Sequence, residues 1–359
     1  MRDIDLFLCL LPRLKIEKLI KLHENFSQTE FIENIAAEDL NSALSEKYIS
    51  KPDFETVRTF YYKLIKENET LGIKSISYFD ELYPEKLKNI STIPRILYIK
   101  GNETLLNADM MLGSVGSRKP SAYGIWATKS LVKDLAVYGF CIVSGMAKGI
   151  DAISHRAAID NDAKTICVLG TPLNKIYPAA NKKLYYDAIE SGGLIVSERN
   201  VFETTVPAHF ALRNRIISGL SDGLLIIEAG SKSGTLITAN YALEQGKTVF
   251  AVPGNINLEN SKGTNKLIKD GACMVTSVAD ILNEFGFSFE NAEKLKDVGE
   301  LSESENLVLK FVKAKGSVHA ESLALESGLK IQDAVALLNI LSIKGYIDYD
   351  GFVANYINK

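Results

Sequence analysis

The sequence predicts an α/β chain: an extended, Rossmann-like, doubly wound and mostly parallel sheet, with a small helical domain before it and a winged-helix-like domain after it. Three observations carry this expectation. Short runs that are apolar on both faces alternate with helical patterns from residue 110 to residue 276, as buried parallel strands and their crossovers require. The segment before them is helical in pattern and almost without glycine. The segment after them holds three short helical patterns and a closing ribbon.

Residues 1–65 are read as the helical N-terminal domain. In "LPRLKIEKLIKLHENF" the apolar Leu14, Leu19, Ile20 and Leu22 alternate with Lys15, Lys18 and Lys21, an amphipathic surface helix whose Lys face is solvated or touches phosphate. "LFLCLLP" is too short for a membrane span and lacks a basic stretch before it, so it is expected in the core and not in a signal peptide. Residues 66–287 form the central domain. "IKSISYFDELYP" and "IPRILYIKGN" read as two extended segments around a short Pro-bounded helix. Strands follow at Met110–Val115, Phe140–Ser144, Thr165–Leu169, Leu194–Ser197, Leu224–Glu228 and Thr248–Val252, with a weaker one at Cys273–Thr276. Helices fill the gaps at Ala122–Tyr138, Lys148–Ile159, Lys182–Ser191, Phe210–Leu220, Leu236–Gln245 and Thr264–Lys269.

Residues 288–301 are charged and weakly apolar, and read as a linker. Residues 302–359 give "ENLVLKFVKA", "HAESLALESG" and "KIQDAVALLNILSIKG", then "YIDYDGFVANYI" with Asp350-Gly351 as its turn, the order of a helix-turn-helix plus wing. Residues 301–359 hold six Lys against seven acidic side chains, and the would-be recognition helix is mostly apolar. A protein contact or self-association is therefore expected there in place of duplex reading.

Composition bounds the function. The 359 residues are 46% hydrophobic and 24% charged, ordinary for a soluble protein, and the net charge of −3 means that any nucleic-acid site is local. Cys9, Cys141, Cys167 and Cys273 are far apart and form no Cys-x-x-Cys pair, which disfavours a zinc site or a disulfide framework and favours a reducing, cytoplasmic setting. His23, His155, His209 and His319 show no metal-ligand spacing, so no metal or other cofactor is expected. His155 lies one helical turn after Asp151, a pair suited to fixing a loop.

Ligands of an open parallel sheet bind beyond the carboxyl ends of its strands. Here those ends read "GSRKP", "SGMAKGID", "GTPLNKIYP", "SERN", "EAGSKSGT" and "PGN". Several glycine-rich loops on one edge make an anion-binding surface, because glycine lets backbone N–H groups approach phosphate oxygens. Arg118 and Lys119 follow the first of these strands, Lys148 the second and Lys175 the third; Lys182 and Lys183 start a helix, Arg213 and Arg215 flank Asn214, and Lys232 sits in "GSKSGT". Tyr123 and Tyr177 share these loops and could stack a base.

Two nucleotide-enzyme motifs fail. "GKT" at Gly246–Thr248 has Tyr241 where a P-loop needs glycine, and it leads from helix into strand, the reverse of the required order. Gly113, Gly116 and Gly124 lack the dinucleotide spacing. "GSKSG" places Lys232 where a hydrolase elbow needs its nucleophile.

The motifs "VGSRKPSAYG", "SGMAKGIDAISHRAAI", "IYPAANKKL", "LIVSE", "FALRNRIISGLSDGLLIIEAGSKSGTLITANYALEQGKTVFAVPGN" and "SKGTNKLIKDGA", in this order over about residues 73–285, resemble the DNA-processing protein A family (DprA, also called Smf). The resemblance implies a non-catalytic, dimeric protein that binds single-stranded DNA at the loop edge and hands it to the recombinase RecA, chiefly in natural transformation. It implies phosphate contact through Gly116, Ser117, Arg118 and Lys119, a groove bordered by Gly145, Lys148 and Gly149, and an extension along Lys175, Lys182 and Lys183. Arg213, Asn214 and Arg215 would line or brace the groove, and Lys232, Ser233, Gly234 and Thr235, within "SKSGT", would close its far side. Pro172-Leu173-Asn174 departs from the family's usual Gly-Leu-Asp and changes the groove's charge, and Ser154 replaces a common Ala. Two other readings compete: a phosphoribohydrolase of the lysine-decarboxylase-like type, disfavoured because "EAGSKSGT" stands where its Pro-Gly-Gly-x-Gly-Thr should be, and a sensor of a small phosphorylated ligand.

Overall fold

A computed structural model describes residues 2–286, 303–343, 346–349 and 353–356. The chain divides into two compact units, Met1–Glu284 and Phe285–Lys359. The first unit opens with helices α1 (Asp3–Leu10), α2 (Ile16–Asn25), α3 (Ala37–Leu44) and α4 (Lys51–Leu71). Local signals set the ends of α4: the Ser50 hydroxyl accepts from the Asp53 N–H, Pro52 occupies the first turn, and Gly72 closes the helix at φ +62°. The apolar start of the chain is core, with Leu6, Phe7, Leu8, Cys9 and Leu11 buried. In α2, Leu19 and Leu22 are buried, Lys15 and Lys21 lie exposed, and Lys18 pairs with Glu46 at 2.6 Å.

The sheet follows: β1 (Lys74–Ser77), β2 (Ile96–Gly101), β3 (Met111–Val115), β4 (Cys141–Ser144), β5 (Thr165–Leu169), β6 (Leu194–Ser197), β7 (Gly223–Ile226), β8 (Thr248–Ala251) and β9 (Cys273–Met274). Their order is β1-β2-β6-β5-β4-β3-β7-β8-β9. β1–β2 and β2–β6 are antiparallel and every other pair is parallel. This is the doubly wound, mostly parallel sheet expected, with the two extended segments around the short Pro-bounded helix added as an antiparallel edge. The order in which strands are added reverses between β3 and β7, which leaves a crevice at the carboxyl edge.

The helices of this part are α5 (Glu85–Lys88), between β1 and β2, the crossovers α6 (Ala122–Val137), α7 (Ile150–Asp160), α8 (Lys182–Glu190), α9 (Pro207–Leu220), α10 (Thr235–Glu244) and α11 (Glu259–Lys269), and α12 (Val278–Glu284) after β9. Alternate residues of one strand feed different layers: Cys167 and Leu169 join the cluster that includes Ile4, Phe7, Leu19 and Phe54, while Ile166 and Val168 join the cluster of Ile216, Leu220 and Ala239. The N-terminal helices and the sheet thus share one core. Several boundaries shift from the sequence expectation. α9 begins at Pro207 and not at Phe210, because proline is favoured in a helix's first turn. α11 begins at Glu259 and not at Thr264, its opening turn, Glu259-Asn260-Ser261-Lys262, being polar and so without the apolar spacing that marks a helix.

The second unit has α13 (Glu303–Lys315), β10 (Ser317–His319), α14 (Ala320–Ser327), α15 (Ile331–Ile343), β11 (Ile347–Tyr349) and β12 (Val353–Tyr356). Its antiparallel sheet runs β10-β12-β11 over a core of Val308, Val312, Leu323, Leu338 and Leu341. β10 is an addition to the sequence expectation, because three residues between two helices carry no pattern. The 288–301 linker and the Asp350-Gly351 turn lie outside the described residues.

One buried polar chain fixes the loop after β4. The Met146 N–H donates to His155 Nε2 at 3.3 Å; Nδ1 is 2.7 Å from the Thr165 hydroxyl, which itself donates to the Ile142 carbonyl at 2.8 Å. Thr165 therefore accepts from Nδ1–H, and the imidazole must be neutral for Nε2 to accept. Asp151 does not bond the ring; its carboxylate accepts from the Ala147 N–H at 3.3 Å, holding the same loop. Burial, with the Arg213 charge nearby, pushes the His155 pKa down to about 3. A folded-state pKa below the unfolded value near 6.5 means that stability is full above pH ~6.5 and is lost as pH falls towards 3, by at most about 1.4 kcal/mol per pH unit. Asp151, raised by its own burial, titrates with the opposite sign, so the comparison requires a His155→Gln variant that leaves it in place. Urea unfolding at pH 5 and pH 7 is expected to show a larger acid loss in the wild type than in His155→Gln; equal losses would remove His155 as the acid-sensitive group.

Candidate nucleic-acid interface

The loops after β3, β4, β5 and β7 meet at the carboxyl edge of the sheet. The loop after β3 is locked against the loop after β4. Gly149 has φ +80°, and a Cβ there would lie 2.3 Å from the Ser117 carbonyl oxygen, so only glycine allows the approach. The Ile150 N–H then donates to that same carbonyl at 3.1 Å. Gly145 is needed for a different reason. A Cβ there would sit 2.6 Å from the Arg213 guanidinium, which crosses beneath the loop.

Arg213 is the buried cation of the site, 6% exposed. Its Nη1 donates to the carbonyls of Gly145 at 2.5 Å and Val168, at the ends of β4 and β5, and Nε donates to Asn214 Oδ1 at 3.2 Å. Burial and the Arg118 charge bring its pKa down to about 10, Asp151 opposing them, so it stays charged at neutral pH. Asp151 is buried, and desolvation raises its pKa against the opposing charges of Arg213 and Arg118.

Three cavities share this edge. The largest, about 480 Å³, occupies the crevice between β3 and β7 and is lined by Gly116, Ser117, Arg118, Asp151, Arg213, Asn214, Ser233, Gly234 and Thr235. The first turns of α7, α9 and α10 contribute Asp151, Pro207 and Thr235 to it, so three helix N-termini converge on it with their positive dipole ends. A second cavity of about 140 Å³ is lined by Arg118, Gly145, Lys148, Gly170, Tyr177, Phe210 and Arg213. A third of about 410 Å³ is lined by Thr171, Lys175, Tyr177, Thr205, Pro207 and Phe210. Arg118 borders the first two and Tyr177 the last two, while Phe210 borders all three. The result is one groove with a cation in each section and an aromatic pair, Tyr177 and Phe210, 5.2 Å apart in its middle.

The remaining sequence candidates fall outside the cavity linings. Arg215, two residues from Arg213 on α9, is turned away and buried, its Nη2 on Glu198 Oε1 at 2.6 Å, where Glu198 also pairs with Arg199. Lys182 and Lys183 are exposed at the start of α8, and Lys119 and Lys232 are exposed on their loops. Gly149 acts through packing. Phe210 escapes sequence reasoning, although it stands immediately before "ALRNR". Glu228 escapes it as well: buried at the end of β7, its carboxylate accepts from the Ser121 N–H at 3.0 Å, the Ser121 hydroxyl at 2.5 Å and Asn260 Nδ2 at 3.2 Å. Asn260 Nδ2 also donates to the Lys119 carbonyl at 3.0 Å, so Glu228 holds the far end of the Arg118 loop.

Chemically, this arrangement offers cations and helix-start backbone N–H groups of the kind that suit an anion. Among the described residues no three His, Cys, Asp or Glu side chains come together to hold a metal ion, and no nucleophile stands beside a base in the groove. The chain is 38% identical over 278 residues to DNA processing protein DprA of Streptococcus pneumoniae, covering 76% of this chain and 93% of that one. It is 40% identical over 231 residues to DNA processing protein DprA of Bacillus subtilis, covering 64% of this chain and 77% of the relative. The solved structure of the Streptococcus pneumoniae protein superposes with a TM-score of 0.66 at 34% identity, over 80% of this chain and 99% of that one. A Helicobacter pylori DNA processing protein A, whose structure describes a single-stranded DNA binding mode, superposes with a TM-score of 0.54 at 30% identity, over 59% and 95% of the two chains. A family profile described as DNA recombination-mediator protein A matches residues 74–286, more than half of the sequence, and the chain therefore belongs to the DNA recombination-mediator protein A family.

Proposed function

We propose that this chain is a single-stranded DNA-binding recombination mediator that protects the strand and passes it to the RecA recombinase, chiefly in natural transformation. The observation that carries the reading is the groove. Arg118 stands exposed between two cavities, above a buried Arg213, with Lys148 and Lys175 further along and no exposed acidic side chain in the lining. Arg118 gives a bidentate fork for a phosphate, the lysines give point charges, and backbone N–H groups at the helix starts complete the contacts. Such contacts read no base, so binding is sequence-tolerant and salt-dependent. The Tyr177–Phe210 pair gives bases a surface that a duplex would keep stacked away.

In this reading Lys182 and Lys183 extend the strand path beyond the groove, Lys119 and Lys232 act at its rim, and Arg215 braces α9 through Glu198. The protein acts without catalysis and works as a homodimer in the cytoplasm. The second unit is a winged-helix-like module for protein contact or self-association, its acidic balance being poor for a phosphate backbone.

Titration of labelled single- and double-stranded oligonucleotides over a salt series is expected to show preference for the single strand and affinity falling with salt; a flat salt dependence would refute the reading. Arg118→Ala is expected to weaken binding about 10- to 100-fold on every sequence and to flatten the salt slope by ~0.7 for each phosphate that Arg118 holds. Gly145→Ala, which drives a Cβ into the Arg213 guanidinium, is expected to lose both stability and binding. Thermal unfolding and the same titration measure it, and wild-type behaviour in both would separate Arg213 from the site. Removal of residues 287–359 is expected to leave single-strand affinity nearly unchanged; a large loss would assign DNA contact to the second unit.

A further inference from the structure

The chain's single tryptophan, Trp126, is 64% exposed, an unusual position for a side chain that normally buries most of its surface. It does not stand alone. Tyr123, one helical turn earlier on α6, is 42% exposed, and the two rings lie 6.0 Å apart at 29°, a stacked pair. The Tyr123 hydroxyl donates to the Pro253 carbonyl at 3.1 Å, which pins its ring to the loop after β8. On that loop Ile256 is 89% exposed. The pair is thus a fixed aromatic platform at the carboxyl edge of the sheet.

Its mounting ties it to the groove. Arg118 lies five residues before Tyr123, and the segment between them is held at Ser121, whose hydroxyl accepts from the Gly124 N–H at 3.1 Å and whose N–H and hydroxyl both donate to the buried Glu228. Five residues span at most about 17 Å. The charge around the platform favours a polyanion. Lys119, Lys129 and Lys133 are exposed, and α6 carries no acidic residue before Asp134. Glu259, the acidic side chain at the start of α11, is engaged by Lys262 at 2.8 Å and Ser231.

We propose that Tyr123 and Trp126 form a second base-stacking subsite, which takes nucleobases of the same single strand whose phosphate Arg118 holds. This inference rests on the single-strand reading of the groove. Every base has a π-face, so the platform adds affinity without sequence choice, and it extends the strand from the crevice across the start of α6 towards β8. A flanking lysine on each side, Lys119 and Lys129, serves the phosphates between stacked bases.

Trp126, being the only tryptophan, reports on its own occupancy in the full-length chain. Oligothymidylates of about 4 to about 16 nucleotides are titrated while anisotropy of a labelled end reads binding and tryptophan emission reads stacking. All lengths are expected to bind, with emission quenched only by strands long enough to reach the platform. A long strand with abasic sites keeps its phosphates and is expected to bind without full quenching. Trp126→Ala is expected to weaken long strands about 5- to 100-fold and leave short ones unchanged, with Trp126→Phe recovering part of the loss. Long strands that bind by anisotropy while Trp126 emission and Trp126→Ala affinity stay unchanged would overturn the subsite and leave the groove standing. Absence of binding at every length would overturn the groove reading, and the subsite with it.

Discussion

The placement of Arg213 under the loop after β4 is the constraint on which the site depends. A guanidinium carried to 6% exposure is tolerable only with its donors satisfied, and the carbonyls at the ends of β4 and β5 satisfy them. That choice dictates glycine at position 145, and it brings Asp151 and the neutral His155 into the same buried region. The loop so held presents Lys148 at its tip and meets the Ser117–Arg118 carbonyls across Gly149. The cation therefore does two things at once: it fixes the loops and sets a positive potential beneath the groove.

The electrostatics are local by construction. With a formal net charge of −3, the chain has no long-range field to draw a polyanion. The groove instead concentrates two arginines, two lysines and three helix N-termini at one edge, while Arg199 and Arg215 a short distance along the sheet are engaged by Glu198 and Glu203. A short-range positive groove on a mildly acidic protein suits release as well as capture, the property that the proposed hand-over of a strand requires. Raised salt acts on both steps through the same counterion release.

The parallel strands are legible in the sequence because they are apolar on both faces, and Thr165–Leu169 and Leu194–Ser197 have the bounds that their composition indicates. Helix starts are less so: α9 opens on Pro207-Ala208-His209 and α11 on Glu259-Asn260-Ser261-Lys262, turns without the apolar spacing that marks a helix. At the site, glycines after strand ends mark the loops that line the cavities, because backbone approach needs glycine whatever binds there. The separation of Arg213 from Arg215 is not legible: two positions on a helix point about 200° apart, and which one faces the groove depends on how α9 lies on the sheet. Phe210, Glu228 and the exposed state of Trp126 are equally hidden, since each acts through neighbours distant in sequence.

The most direct measurement is photocrosslinking of a single strand carrying 5-iodouracil, with the attached peptides located by mass spectrometry. Crosslinks are expected to fall on the carboxyl-edge loops, at the Tyr177 and Phe210 peptides above all, and to vanish in Arg118→Ala at matched concentration. Crosslinks confined to residues 303–356, or unchanged by Arg118→Ala, would contradict a strand lying along this groove.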